Sequence, residues 1–302
     1  MDHFPKISVL IPSYNHDQFI KETILSIWNQ TYSNIEIIIV DDCSTDMTLS
    51  IATNLQKDSP IPMKIYRNKE NLGPVKTVNK ALNFCSGDFF TPFASDDLFK
   101  GNRYEAQVNH IRQNPDSVII FGNGYAFDKT GDLYQLHNEF VQNLLTQKPE
   151  QILEYLYTHI SPFFLQTSVI KTSFIKGLGG FDENGLVDDW ALNIKIFKNL
   201  SSQNQYSFVN QYLICYRIHE GSISKNYDRQ KKLLLETIEK YTPKTLKSQA
   251  KGNIYWEISK GAFATGRVQE GLKLLTSSLL HYPDVAKLPP LIKRLFLGNK
   301  RL

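Results

Sequence analysis

Apolar residues in the first third of the chain form two kinds of segment: short continuous runs and longer stretches with helical spacing. Runs at residues 7–11, 35–40 and 63–66, and a fourth leading into position 96, predict buried strands. Between them, apolar side chains recur every three or four residues over 17–29, about 45–57 and 74–85, which predicts amphipathic helices. This alternation predicts an α/β fold with a parallel, doubly wound sheet flanked by helices.

The pattern changes twice further along the chain. A helix over 103–113 and a strand over 118–121 are predicted. From there to residue 219 the apolar residues show a weaker periodicity, which predicts individual elements less clearly. Helical spacing dominates from residue 227, where Gly266 separates two helices that resemble a single tetratricopeptide unit. We expect one domain over 1–225, with halves 1–100 and 101–225, and a helical extension over 226–302. The extension is interpreted as a structural cap, with a docking module as the alternative.

Composition narrows the class of protein. The chain has 302 residues, of which 41% are hydrophobic and 21% charged, which is typical of a globular protein. Apolar runs are strand-sized and the first residues lack a signal-peptide pattern, so we expect a cytoplasmic protein. Cys43, Cys85 and Cys215 are widely separated and form no CxxC motif, which argues against a disulfide framework or a zinc site.

Basic residues are concentrated at the C-terminus. The net charge is +4, and residues 285–302 contain no acid but contain Lys287, Lys293, Arg294, Lys300 and Arg301. A nucleic-acid partner would need a broader basic face, so none is expected. A short basic and apolar tail fits a peripheral contact with an anionic membrane surface, and the alternative is a last helix packed on the body of the protein.

Two adjacent carboxylates, Asp96 and Asp97, follow the fourth predicted strand. Their mutual repulsion is most easily relieved by a divalent cation, and carboxylate oxygens suit Mg²⁺ or Mn²⁺. A solvated turn with one carboxylate capping a helix is the alternative. In a doubly wound sheet the polar loops 12–16, 41–46 and 95–97 lie at one edge, which is the predicted ligand site.

Four motifs in order resemble the family 2 glycosyltransferases. They are Pro12-Ser-Tyr14-Asn15, Asp41-Asp42-Cys-Ser44, Asn71-Leu-Gly73 and Asp96-Asp97, and the likeness covers roughly residues 6–220. The resemblance implies the GT-A fold, a Rossmann-like α/β fold with a mixed, mainly parallel sheet flanked by helices. It also implies an enzyme that uses a nucleotide diphosphate sugar and a divalent cation, with residues 1–100 binding the nucleotide and 101–225 the acceptor.

The resemblance also implies a donor site. Tyr14 would lie against the base, and Asp42 would accept the imide N–H of uracil, so a UDP-sugar is the first expectation. The other residues expected at the donor are Pro12, Asn15, Asn71 and Gly73. Packing of a loop by Tyr14 and helix capping by Asp42 are the structural alternatives.

A second group of residues is expected around the reacting phosphates. Asp96 would face the ribose and Asp97 the metal, since adjacent residues point in opposite directions at a strand end. His219, in the polar segment that begins at Tyr216, is a further candidate metal ligand. Arg217 is a candidate partner of the diphosphate.

Asp189 is the expected general base. It lies in a segment from Gly180 to Trp190 that is similar to the acceptor loop of the family. The base would take the proton from an acceptor hydroxyl, and a single in-line displacement would invert the anomeric carbon. The alternative is that Asp188 and Asp189 only cap a helix.

The resemblance implies transfer of one sugar to a saccharide or lipid-linked saccharide of a bacterial surface glycan. The Gln-x-x-Arg-Trp signature of the processive synthases in the family is absent. A nucleotidyltransferase is disfavoured, because loop 12–16 lacks the glycines and basic residues that grip a triphosphate. A catalytically silent relative that binds a sugar, nucleotide or protein is the remaining alternative.

Overall fold

The computed structural model describes residues 4–183, 188–219 and 227–283. The chain divides into two compact units, one of Met1–Ile152 with Ser161–Lys225 and one of Leu153–Ile160 with Asn226–Leu302. The expected domain boundary at residue 225 stays a prediction. Leu153–Ile160 belongs to the second unit although residues 161–225, which follow it in the sequence, belong to the first. The halves 1–100 and 101–225 do not separate, because their strands join one sheet.

The first hundred residues form the α/β arrangement that the sequence predicts. The elements are β1 (Ile7–Ser13), α1 (Ile20–Trp28), β2 (Ile35–Asp41), α2 (Thr48–Lys57), β3 (Met63–Arg67), α3 (Pro74–Phe84) and β4 (Phe89–Pro92). The strands are parallel in the order β3-β2-β1-β4. Because the strands are parallel, the loops after β1, β2 and β4 share the carboxyl edge of the sheet.

The second part of the first unit extends the same sheet. It contains β5 (Leu98–Phe99), α4 (Arg103–Gln113), β6 (Ile119–Asp128), β7 (Gly131–Gln135), α5 (Glu139–Leu144), β8 (Val169–Lys171), α7 (Thr172–Gly177), α8 (Asp188–Lys198) and β9 (Tyr206–Arg217). Helix α6 (Pro149–Thr158) begins in this unit, and its residues from Leu153 onward belong to the second unit. The order continues from β4 as β8-β6-β9-β5, and β7 pairs with β6. The β6–β9 pairing is parallel, whereas β8, β5 and β7 pair antiparallel. The sheet is therefore mixed, and most of its paired residues are parallel.

The neighbouring strands β2, β1 and β4 of the first unit are buried from both sides. Every residue of β2 is buried, and the apolar faces of the flanking helices cover the sheet. This double coverage explains why the strands have continuous rather than alternating apolar residues. It also makes the sheet a rigid support, from which the loops of the carboxyl edge project.

The second unit is helical, as the spacing after residue 227 predicts. It contains α9 (Tyr227–Tyr241), α10 (Lys247–Ala264) and α11 (Val268–His281). Gly266 has φ of 76°, a left-handed conformation that ends α10 and starts the turn into α11. Asn253 of α10 donates to the carbonyl of Thr158 at 3.1 Å, which ties Leu153–Ile160 to this unit. Among the helices described, none is both long enough and apolar enough to span a membrane.

Candidate active site

The loops after β1 and β2 are tied together by polar contacts. Asn15 adopts a left-handed conformation with φ of 51°, which asparagine tolerates better than most residues. Its backbone N–H donates to Ser44 Oγ at 3.0 Å, and its Oδ1 accepts from the N–H of Thr45 at 2.9 Å. The predicted donor-site residue Asn15 therefore holds the two loops together.

Asp42 is buried and organises the turn that precedes α3. Its Oδ1 accepts from Asn68 Nδ2 and from the N–H of Leu72, and its Oδ2 accepts from the N–H of Gly73 at 2.8 Å. Gly73 has φ of 85° and stands just before Pro74, the first residue of α3. The structure thus joins Asp42 to the Asn71-Leu-Gly73 motif. Oδ2 keeps the capacity to accept a second hydrogen bond, since a carboxylate oxygen has two lone pairs.

Strand pairing brings the end of β9 beside the Asp96-Asp97 pair. Leu98 of β5 is paired with Cys215 of β9. This register places the backbone N–H of Arg217 2.8 Å from Asp97 Oδ1. The side-chain Nε of Arg217 lies 2.8 Å from the carbonyl oxygen of Asp96. His219 follows two residues later, with Nε2 2.9 Å from Asp96 Oδ2. Residues more than a hundred positions apart therefore form one cluster.

The two adjacent carboxylates have different surroundings. The Asp97 side chain is fully buried, and its Oδ2 has no hydrogen-bond partner within the described part of the chain. Burial, followed by the charge of Asp96, raises the pKa of Asp97 well above its usual value. The Asp96 side chain is 15% exposed and contacts His219. The expectation that Asp96 faces the ribose and Asp97 the metal stays a prediction. Strand β4 ends at Pro92, so the two residues do not continue the strand.

His16, a residue that the sequence analysis did not select, completes the cluster. One ring nitrogen each from His16 and His219 and one oxygen of Asp96 lie within 4.8 Å of one another. The Nδ1 of His16 is 2.7 Å from Ser95 Oγ. Burial lowers the pKa of His16 and outweighs the opposing effect of Asp96. The imidazole is therefore favoured in its neutral form, which is the form that binds metal ions.

A cavity of about 870 Å³ opens beside this cluster. Tyr14 and His16 line it from the loop after β1, Arg217 and His219 line it from the end of β9, and Lys129 lines it from the β6–β7 turn. The Tyr14 side chain is 43% exposed, so its ring is accessible to a ligand. The volume is sufficient for a small-molecule ligand of nucleotide size.

Asp189 lies in the first turn of α8 and is half-buried. Its charge acts on the hydroxyl of Tyr216, as do the charges of Asp97 and Asp96. Burial is the largest of the effects that raise the pKa of Tyr216, and these carboxylates add to it. The role expected for Asp189 stays a prediction.

The structure brings some predicted residues into one place and leaves others apart. Tyr14, Asn15 and His219 line the cavity, whereas Asp42, Asn71 and Gly73 form a separate turn and Pro12 belongs to β1. The residues missed were His16, Lys129 and Tyr216. His16 could have been selected because it follows β1 at the sheet edge, but Lys129 and Tyr216 carry no comparable signal.

Comparisons with known proteins agree on the family. The model of glycosyl transferase family 2 matches residues 8–171, more than half of the chain. Two uncharacterized glycosyltransferases of Haemophilus influenzae are similar to the chain. One is 29% identical over 81% of this chain and 76% of its own, and the other is 31% identical over 74% of this chain and 84% of its own.

Solved structures share the fold. S. aureus TarS 1-349 in complex with UDP-GlcNAc is 20% identical, with a TM-score of 0.65, over 94% of this chain and 82% of its own. The mannosyltransferase PcManGT of Pyrobaculum calidifontis, in complex with GDP-Man and Mn²⁺, is 16% identical, with a TM-score of 0.63, over 98% of this chain and 79% of its own. The family match and the similarity to the Haemophilus relatives show that this chain is a glycosyltransferase and belongs to glycosyl transferase family 2.

Proposed function

We propose that the enzyme transfers a single sugar, with inversion, from a nucleotide diphosphate donor to a hydroxyl of a saccharide or lipid-linked saccharide. The observation that carries this proposal is the contact of Asp96 with His219 at the edge of the cavity. A carboxylate oxygen and an imidazole nitrogen form a donor pair that suits Mn²⁺, and to a lesser degree Mg²⁺. A divalent cation held there would neutralise charge that develops on a departing diphosphate.

We assign cation binding to Asp96 and His219 rather than to Asp97. Asp97 is fully buried, and one of its oxygens is engaged by the backbone of Arg217. Asp97 instead holds the end of β9 in place, and so positions Arg217 and His219.

The donor is expected to be a UDP-sugar. The exposed ring of Tyr14 offers a face for the base, and Asp42 Oδ2 has capacity to accept the uracil imide N–H. Lys129 lines the same cavity and is suited to a diphosphate. Arg217 also lines it, although its Nη2 already pairs with Glu22 at 2.6 Å. A GDP-sugar is the main competing donor, because recognition of the base rests on Asp42 alone.

We infer that Asp189 is the general base. As a half-buried carboxylate at the start of α8, it would accept the proton of the attacking hydroxyl. The hydroxyl oxygen would then bond to the anomeric carbon as the bond to the diphosphate oxygen breaks. Tyr216 lies within the influence of both Asp189 and Asp96, between the proposed acceptor and donor sides.

A bacterial surface glycan is the proposed destination of the sugar, and the cytoplasmic side of the membrane is the proposed place of transfer. Family membership supports both statements, because the resemblance drawn from the sequence implies them. The acceptor would be presented as a saccharide or as its lipid-linked form.

Substitution of Asp189 by asparagine tests this proposal. Asp189→Asn keeps the size of the side chain and removes the base, so we expect UDP release from UDP-sugars to fall by about 10² to 10⁴. UDP binding, measured by calorimetry with Mn²⁺, should be unchanged. Asp58→Asn, at the exposed C-terminal end of α2, is the matched control and should retain the rate. An unchanged rate in Asp189→Asn, or a large loss of its UDP affinity, would contradict the assignment.

A further inference from the structure

We propose that His16 is a third protein ligand of the catalytic cation, which gives a site of two histidines and one aspartate. The inference rests on the proposed function, since it concerns the same cation. It adds a residue from the loop after β1 to the pair formed by Asp96 and His219. It also predicts a preference for Mn²⁺ over Mg²⁺.

The distances allow all three residues to bind one ion. Two ligands at about 2.1 Å from a shared ion can be at most about 4.2 Å apart. The ligand atoms of His16, Asp96 and His219 lie within 4.8 Å of one another, so shifts of a few tenths of an ångström are sufficient. The two imidazole rings are 5.9 Å apart between centroids and nearly perpendicular, at 81°. They do not stack on each other, so both can turn a nitrogen to a common point.

The position of His16 is fixed by its backbone. Its N–H donates to Thr48 Oγ1 at 2.8 Å, which ties it to the start of α2. Its carbonyl accepts from the N–H groups of Phe19 and Ile20 at 3.0 and 2.9 Å, at the start of α1. Hydrogen bonds of both the N–H and the carbonyl of His16 therefore fix the backbone that bears the ring. A preorganised metal ligand requires such a fixed position.

The contact with Ser95 sets the orientation of the ring. Ser95 is buried, and its Oγ is 2.7 Å from His16 Nδ1. In the tautomer with the proton on Nδ1, this nitrogen donates to Oγ and Nε2 presents its lone pair. Hydrogen bonds of this kind from the second nitrogen commonly orient histidine ligands in metal sites. The serine immediately before Asp96 thus supports a ligand from a different loop.

Two imidazoles change which cation the site prefers. Mg²⁺ favours oxygen ligands and retains several waters, whereas Mn²⁺ and the later transition metals accept imidazole nitrogen more readily. A site with Asp96 and His219 alone would depend on one imidazole. With His16 present, removal of this ring should reduce the affinity for Mn²⁺ more than the affinity for Mg²⁺.

A purely structural role for His16 makes a different prediction. Its ring also packs edge-on against Phe19, with centroids 5.8 Å apart, and it hydrogen-bonds to Ser95. If those contacts were its whole contribution, substitution would lower the melting temperature and leave cation binding unaltered. Cation binding and the spectrum of the bound ion separate the two roles.

Electron paramagnetic resonance of Mn²⁺ tests the inference directly. Titration of the full chain with Mn²⁺ and UDP measures affinity from the loss of the free-ion signal, and pulsed spectra detect nitrogen bound to the ion. We expect His16→Asn to weaken Mn²⁺ binding at least about tenfold and to reduce the nitrogen modulation. Competition with Mg²⁺ should show a smaller preference for Mn²⁺ in the variant. His110→Asn on α4, whose imidazole is next to Asn114, is the control.

The outcomes distinguish this inference from the proposed function. If wild type and His16→Asn bind Mn²⁺ equally and show equal nitrogen modulation, His16 is not a ligand, while the cation site of Asp96 and His219 stands. If the wild type binds no Mn²⁺ with or without UDP, both the inference and the cation-dependent function are wrong. A weaker, nitrogen-depleted site in His16→Asn, with an unaffected control, supports the inference.

Discussion

At the scale of single residues, the active site is governed by the different surroundings of two neighbouring aspartates. Asp96 is partly exposed and contacts His219, whereas Asp97 is buried and accepts a hydrogen bond from the backbone of Arg217. Under the proposed function, these surroundings give the same chemical group two roles. Asp96 would bind the cation, and Asp97 would position the segment that supplies His219.

Substitution of each aspartate by asparagine should separate these roles. Asp96→Asn removes a charged ligand, so we expect Mn²⁺-dependent UDP release to fall by at least about a hundredfold. Asp97→Asn keeps the size of the side chain, and its Oδ1 can still accept the hydrogen bond from the backbone N–H of Arg217. Mn²⁺ affinity should therefore be retained in Asp97→Asn. The rate of UDP release and the affinity for Mn²⁺ are measured in both variants. Loss of Mn²⁺ binding in Asp97→Asn, with binding retained in Asp96→Asn, would contradict the account.

At the scale of elements, Glu36 joins the strands beneath the site. Glu36 lies in β2 and is 2% exposed. Its Oε1 accepts from Ser8 Oγ at 2.6 Å and from the N–H of Ser86 at 2.8 Å, and its Oε2 pairs with Lys6 at 2.9 Å. Burial alone would raise the pKa of Glu36, but these hydrogen bonds outweigh it and lower the pKa to about 2. The carboxylate thus links β1, β2 and the segment before β4.

Glu36→Gln should destabilise the protein by about 1 to 3 kcal/mol at pH 7, because a charged acceptor of several hydrogen bonds is lost. A lowered pKa stabilises the folded state above the unfolded value near 4.5, and this contribution is lost as the pH falls toward 2. The difference in free energy of unfolding between wild type and Glu36→Gln should therefore become smaller as the pH is lowered.

Urea denaturation between pH 7 and pH 3 measures this difference. Glu70→Gln, at an exposed position, is the matched control and should change stability little. A Glu36→Gln variant as stable as wild type at pH 7, or a difference that does not vary with pH, would refute the role of the network.

The sequence predicts those helices and strands whose own residues show an apolar run or a helical spacing. Strands β1 to β4 and helices α1 to α3 contain continuous apolar runs or helical spacing, and the structure confirms them. Strands β5 and β8, of two and three residues, depend on partners far along the chain, so no local pattern reveals them. The side-chain directions of Asp96 and Asp97 also lack a local pattern, because both residues follow the end of β4 at Pro92.

The cluster of His16, Asp96 and His219 illustrates the same limit. Loop 12–16 and the Asp96-Asp97 pair were expected at one edge because parallel strands place their carboxyl ends together. The approach of His219 depends on the register in which Leu98 pairs with Cys215, which is not encoded locally. The edge could be predicted from sequence, but the set of side chains that meet there could not.

At the scale of the whole molecule, the chain combines a catalytic α/β unit with a helical unit. In the helical unit, Ser278 donates to the Gly252 carbonyl at 2.6 Å, which joins α11 to α10. The close approach requires glycine, because a Cβ at position 252 would be 2.5 Å from Tyr282 Cβ. The basic tail expected to contact a membrane lies outside the described residues.

Removal of residues 285–302 tests the membrane contact. The tail carries five basic residues and no acid, so we expect its removal to reduce co-sedimentation with vesicles that contain anionic lipid. Binding of the full chain should also weaken as salt is added, because the attraction is screened. Neutral vesicles are the control. Equal co-sedimentation of the full and shortened chains would refute the contact.

The central claim is that this glycosyltransferase binds a nucleoside diphosphate through a divalent cation. The most direct measurement is a calorimetric titration with UDP, GDP, dTDP and CMP, each with and without Mn²⁺. The account predicts binding of UDP that requires Mn²⁺ and is lost in Asp96→Asn. Absence of binding by all four nucleotides in the presence of Mn²⁺, or UDP binding of equal strength without the cation, would contradict it.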